Sequence, residues 1–185
     1  MGESDEAAII RCCQNGDKEA FRMLVEQYKR VLFGTAYLMT RDRGLTEDAL
    51  QEALVKVWKH LPSLRLDGSI KAWLLRIVVN EVKQQLRKKH VPTLPLEKAF
   101  ELVSDPDEVG ATIVRREEYQ FLRQALGLLP PEQKETVVLR YYSGLTVPEI
   151  AVVMGQREGT IKSRLSRALD RLGDILRSDD LGGGR

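Results

Sequence analysis

The chain has 185 residues, 43% hydrophobic and 30% charged, with a formal net charge of only +2. That supplies folded cores for one large or two small domains, while excluding a membrane span (no apolar run approaches ~20 residues) and nucleic-acid binding by bulk charge. Charge is unevenly placed: residues 1–90 hold 16 Lys/Arg against 12 Asp/Glu, 91–114 hold 1 against 5, and 115–177 hold 11 against 8, two basic blocks around an acidic connector.

The spacing predicts a short helix from Asp5 to Gln14, ended by Asn15-Gly16. It contains the only two cysteines, Cys12 and Cys13. Neighbouring cysteines rarely bridge each other, and no second pair exists for zinc, so reduced thiols in a cytoplasmic protein are expected. The polar, acidic start is no signal peptide, and Gly2 lacks the hydroxyl residue a myristoylation signal needs. Asp17 caps a second helix whose stripe of Phe21, Leu24, Val25, Tyr28, Val31 and Leu32 faces a core.

Thr46 is the expected cap of a third helix, TEDALQEALVKVWKHL, with Leu50, Ala53, Leu54, Val57, Trp58 and Leu61 on its core side. The opposite face holds Asp48, Gln51 and Glu52 around Val55. Carboxylates suit a solvated face or a helix N-terminus; an apolar residue among them equally suits docking on a basic partner. Pro62 closes this helix, Asp67-Gly68 makes a turn, and Ser69 caps the next, IKAWLLRIVVNEVKQQLRKKH. Its buried side is Leu74, Leu75, Val78, Val79, Val82 and Leu86. Trp73, Arg76, Asn80, Lys83 and Arg87 form a separate continuous row. An aromatic aligned with cations suits single-stranded nucleic acid, where bases stack and cations follow phosphates. The plainer alternative is a packed Trp73 beside solvated cations.

Residues 91–113, with Pro92, Pro95, Pro106 and several acids, read as a flexible linker carrying at most a helical piece around Leu96–Val103. Helical pattern resumes near Ile113, with Leu122, Ala125, Leu126 and Leu129 as a stripe, and Pro131 opens the helix EQKETVVLRYYSG. Thr146 and Glu149 then form a capping box before Ile150, Ala151 and Met154. Gly155 makes a turn, and a second helix starts near Glu158. Ile161, Leu165, Ala168, Leu169 and Leu172 take its inner side; Lys162, Ser163, Ser166 and Arg167 its outer side. An ordinary helical hairpin would share this periodicity. The box, the glycine turn and the hydroxyl-plus-base face favour a helix-turn-helix reading a major groove. The tail from residue 178 is expected to be disordered. The fold expectation is all-α: two small helical domains, 1–90 and 114–177, joined by the 91–113 linker, the second a helix-turn-helix.

These segments together resemble the group IV, or extracytoplasmic function (ECF), sigma factors of the sigma-70 family. GDKEAFRMLVEQY resembles the start of the family's second domain, LTEDALQEALVKVWKHL its polymerase-binding helix, and IKAWLLRIVVNEVKQQLRKK its promoter-melting helix. LPPEQKETVVLRYYSGLTVPEIAVVMGQREGTIKSRLSRALDRL resembles its fourth domain. Ile70-Lys71, where the family often has an aromatic, and the first Val of RIVVN, often Ala, depart from the pattern. The resemblance implies docking of Asp48, Gln51, Glu52 and Val55 on the clamp helices of the largest polymerase subunit. The flap of the second subunit is a further implied contact. Lys71, Trp73, Arg76, Asn80, Lys83 and Arg87 would engage the −10 element, with Leu61 to Lys71 as the loop capturing a flipped base. Thr160, Lys162, Ser163, Arg164, Ser166, Arg167 and Arg171 would face the −35 duplex. It also implies an anti-sigma factor as a regulatory partner.

A helix-turn-helix regulator that never meets polymerase would explain residues 145–172 but not Val55 among acids. An enzyme finds no Ser/His/Asp set, metal cluster or phosphate loop here, and His60 and His90 sit at helix ends. No catalytic residue, metal or cofactor is expected, and no membrane insertion.

Overall fold

The computed structural model describes residues 3–65, 68–88 and 124–180. Every regular element among them is helical. The linker, its helical piece, the resumption near Ile113, Leu122, Asp67 of the turn, His90 and residues 181–185 lie outside the described residues.

Among its described residues the first unit carries four α-helices. α1 (Glu3–Gln14) ends where Gly16 takes φ 86°, a conformation only glycine adopts cheaply. α2 (Lys18–Thr40) starts as expected: Asp17 accepts from the backbone N–H groups of Glu19 (2.9 Å) and Ala20 (3.1 Å). Leu24 and Leu32 are buried, and the buried face continues through Thr35, Ala36 and Met39. Phe21, Val25, Tyr28 and Val31 are half-buried, Phe21 meeting Trp58 edge-on at 5.0 Å. Tyr28 donates its hydroxyl to Glu6, tying α1 to α2; burial and that carboxylate raise the Tyr28 pKa well above its ordinary value. Burial, aided by Asp17 and Cys12, likewise raises the Cys13 thiol, whereas Cys12 is exposed.

α3 runs from Arg43 to His60, and its cap is Asp42, not Thr46. Asp42 accepts from the Leu45 N–H at 2.9 Å. Thr46 is instead fully buried one turn inside, donating to the Asp42 carbonyl (2.7 Å) and meeting the Thr40 hydroxyl at 2.7 Å. A threonine so satisfied within the helix has no need to cap it. Ala49, Ala53, Val57 and Leu61 are fully buried, while Leu50, Leu54 and Trp58 are half-buried. A 3-10 turn, Leu61–Ser63, carries Pro62, and Gln14 donates to the Leu64 carbonyl at 2.8 Å, fastening α1 there.

α4 (Ile70–Lys88) begins at Ser69, whose hydroxyl accepts from the Ala72 N–H at 3.3 Å. Leu74, Leu75, Val78, Val79 and Val82 are buried, each contributing about 1.5–3 kcal/mol as a fully buried aliphatic. Leu86 is only half-buried, near the helix end. Glu81 is buried as well, a charge within the apolar side.

In the second unit residues 124–127 are helical, and Ala125, Leu126 and Leu129 are buried. α5 (Pro131–Val137) opens on Pro131 and runs into a π-helical turn, Val138–Tyr142. α6 (Val147–Met154) has the expected capping box: Glu149 accepts from the Thr146 N–H and hydroxyl, both at 2.7 Å. Ile150 and Val153 are buried; Ala151 and Met154 are half-buried. Gly155 takes φ 62°. α7 (Glu158–Asp180) continues three residues into the segment expected as tail. Ile161, Ala168 and Leu172 are buried and Leu165 half-buried, but Leu169 is 44% exposed, contrary to expectation. At 100° per residue Leu169 lies beside Ala168, turned toward the rim of a short apolar stripe.

Candidate nucleic-acid interface

The outer face of α3 follows from its inner one. With Ala49, Ala53 and Val57 inward, Asp48, Gln51, Glu52 and Val55 are left exposed, and Val55 is 46% exposed. An aliphatic open to water among two carboxylates and an amide gains nothing where it stands, and desolvation by a partner would be favourable. The four residues of this expected contact therefore share one accessible patch.

The next helix presents the expected row less evenly. Arg76, Asn80 and Arg87 are exposed; Lys71, Trp73 and Lys83 are half-buried. Arg87 donates from Nε to the Lys83 carbonyl at 3.2 Å, so its fork is anchored at the helix end. Trp73 is half-buried one turn from the exposed Arg76, which leaves part of the residue open to a stacking partner. Beside this row, α3 and α4 enclose an open cleft of about 320 Å³, to which Lys56, His60, Asn80, Glu81, Gln84 and Arg87 contribute. Lys56 donates to Glu81 across it at 2.6 Å. Neither residue of that pair was legible as a partner of the other.

On α7, Lys162, Ser166, Arg167 and Arg171 are exposed, whereas Thr160 and Ser163 are half-buried. Ser163 donates to the Thr160 carbonyl at 3.0 Å, and Arg167 donates to the Ser163 hydroxyl at 3.3 Å. The Arg167 fork thus rests lightly on the helix and keeps donors for another ligand. Arg164 differs: its side chain is 18% exposed and pairs with Glu132 of α5 at 2.5 Å. Gln156 and Arg157, exposed in the turn before α7, join the same end of the helix. Their position just past Gly155 was the available signal for them. Leu145, fully buried, has its carbonyl bonded by Arg140 at 2.9 Å, which fixes the approach to α6.

The surfaces are polar and cationic on α4 and α7 and acidic on α3. No group of three or more His, Cys, Asp or Glu among the described residues could hold a metal ion, and no described helix is long and apolar enough to cross a membrane.

Family models described as "Sigma-70 region 2" and "Sigma-70, region 4" match residues 24–91 and 120–172. The chain is 34% identical to "ECF RNA polymerase sigma factor SigM" of Mycobacterium tuberculosis, over 94% of this chain and 86% of that one. It is 30% identical to "RNA polymerase sigma-H factor" of Pseudomonas aeruginosa, over 95% and 96% respectively. Among solved structures, the sigma factor RpoE of Bartonella quintana, in complex with the anti-sigma factor NepR, matches with TM-score 0.67 and 27% identity, over 86% of this chain and 98% of that one.

Proposed function

The chain belongs to the ECF RNA polymerase sigma factors, and from that premise we infer how its surfaces divide the work of promoter-specific initiation. Sigma factors bind core RNA polymerase and promoter DNA and carry no chemistry of their own. Residues 1–90 dock on polymerase and open the −10 element; residues 114–177 read the −35 element as duplex, with 91–113 as the linker. Asp48, Gln51, Glu52 and Val55 meet the clamp helices of the largest polymerase subunit. Lys71, Trp73, Arg76, Asn80, Lys83 and Arg87 face the separated strands. Thr160, Lys162, Ser163, Arg164, Ser166, Arg167 and Arg171 lie along the duplex, Arg164 only if DNA phosphate displaces Glu132. The chain acts in the cytoplasm with polymerase, and an anti-sigma factor silences it by covering the α3 and α7 surfaces.

The single observation that carries this reading is the exposed Val55 on the same helix face as Asp48, Gln51 and Glu52. A helix-turn-helix regulator acting alone has no use for that patch. The test is binding of fluorescent full-length chain to core polymerase without DNA. Saturable binding supports the reading; duplex binding with no affinity for core would restore the regulator.

A further inference from the structure

Glu81 lies among Val78, Val79 and Val82 on the inner side of α4, with its side chain only 6% exposed. Its carboxylate receives Lys56 of α3 at 2.6 Å, while the Lys56 side chain remains 39% exposed. Burying a carboxylate is costly, and an apolar pair of similar volume is often neutral or stabilising in such a place. Stability alone therefore does not explain the pair, and its location suggests what does. Lys56 follows Val55 and lies one turn beyond Glu52, on the helix whose outer face docks on polymerase. Glu81 follows Asn80 in the row assigned to separated DNA, and Asn80 and Arg87 line the same cleft as the pair. One ion pair thus joins the two working helices where their functional faces are nearest in sequence to it.

We propose that Lys56 and Glu81 are positioning residues, a strut that fixes α4 against α3 so that Asn80 and Arg87 meet the opened strand in register. This rests on the assignment of α4 to promoter opening. The charge gives the contact a single distance and direction, which an apolar pair lacks, and functional groups need supporting residues to hold them to sub-ångström placement. Glu81 engages the Lys56 ammonium directly, so Lys56 acts through the carboxylate and not on phosphate.

The test uses full-length chain with core polymerase and reads permanganate reactivity of unpaired thymines at saturating holoenzyme. Melting temperature and core affinity are measured alongside. The double variant Lys56→Met with Glu81→Leu should melt as wild type and bind core as wild type, yet open promoters about tenfold less, short of the ~10²-fold that a misplacement of about 1 Å can cost. Glu81→Leu alone should show the same loss, since Lys56 can extend to water. Glu81→Gln, whose amide oxygen still accepts from Lys56, should retain opening. Wild-type opening by the double variant overturns the strut. So does a gain in opening by Glu81→Leu with a salt slope steeper by about one unit, because Lys56 would then act on phosphate directly. A loss that tracks a fall in melting temperature makes the pair merely structural and also overturns it. Trp73→Ala runs in parallel: wild-type opening there removes the α4 assignment and the strut with it, whereas impaired Trp73→Ala beside a fully active double variant removes the strut alone.

Discussion

Arg167 and Arg164 lie one turn apart on α7 yet should respond differently to truncation. Arg167 is exposed and, among the described residues, makes a neutral hydrogen bond of 3.3 Å to Ser163. Leaving that bond costs little, so nearly all the energy of a bidentate contact with a guanine edge is available to recognition. Arg167→Ala should then cost about 1–3 kcal/mol, or roughly 5- to 150-fold, on the preferred −35 sequence and relax preference at one position. Arg164 starts from an ion pair with Glu132, whose side chain is 68% exposed. Water screens the pair from the Glu132 side, although the Arg164 side chain is only 18% exposed, so phosphate can compete for the guanidinium. Arg164→Ala should lower affinity evenly across sequences and reduce the salt slope by about 0.9. The assay is holoenzyme titration on −35 variants at several salt concentrations. A uniform loss for Arg167→Ala, with preference unchanged, would refute the base-reading role. An unchanged slope for Arg164→Ala would leave Arg164 as an internal tie between α5 and α7.

Glu52→Lys places like charge against a basic partner and should weaken core binding by several kcal/mol if the contact is desolvated, with melting temperature nearly constant; equilibrium binding to core checks the first and thermal unfolding the second. Trp73→Ala and Asn80→Ala should leave duplex binding intact while thymine reactivity to permanganate at the −10 element falls. Thr146→Ala removes one half of the capping box and should cost about 1 kcal/mol in the second unit, seen as a lower denaturation midpoint with unchanged slope.

Local signals carried most of the architecture. Asp17, Ser69, the Thr146–Glu149 box and Gly155 act over three or four residues, so the sequence alone located those helix starts and that turn, and the structure places them there. The missed cap is instructive. Asp42 precedes Arg43-Gly44, and a glycine in the first turn hides the start, while Thr46 ahead of Glu47 and Asp48 imitates one. Leu169 fitted the period but is 44% exposed, because a stripe on one helix says nothing about how far its partners reach. Arg164 with Glu132, and Lys56 with Glu81, could not be read at all. Their partners are 32 and 25 residues away, and only packing brings them together. The acidic patch around Val55 was visible from periodicity because it is what remains once Ala49, Ala53 and Val57 turn inward.

The most direct test of promoter-specific initiation through the α3 patch is run-off transcription by core polymerase on genomic fragments, with wild-type chain and with Glu52→Lys. The wild type should yield discrete transcripts from a small set of fragments, and Glu52→Lys should lose them unless its concentration is raised. Duplex binding that yields no transcripts, or equal transcripts from both proteins, would contradict the account.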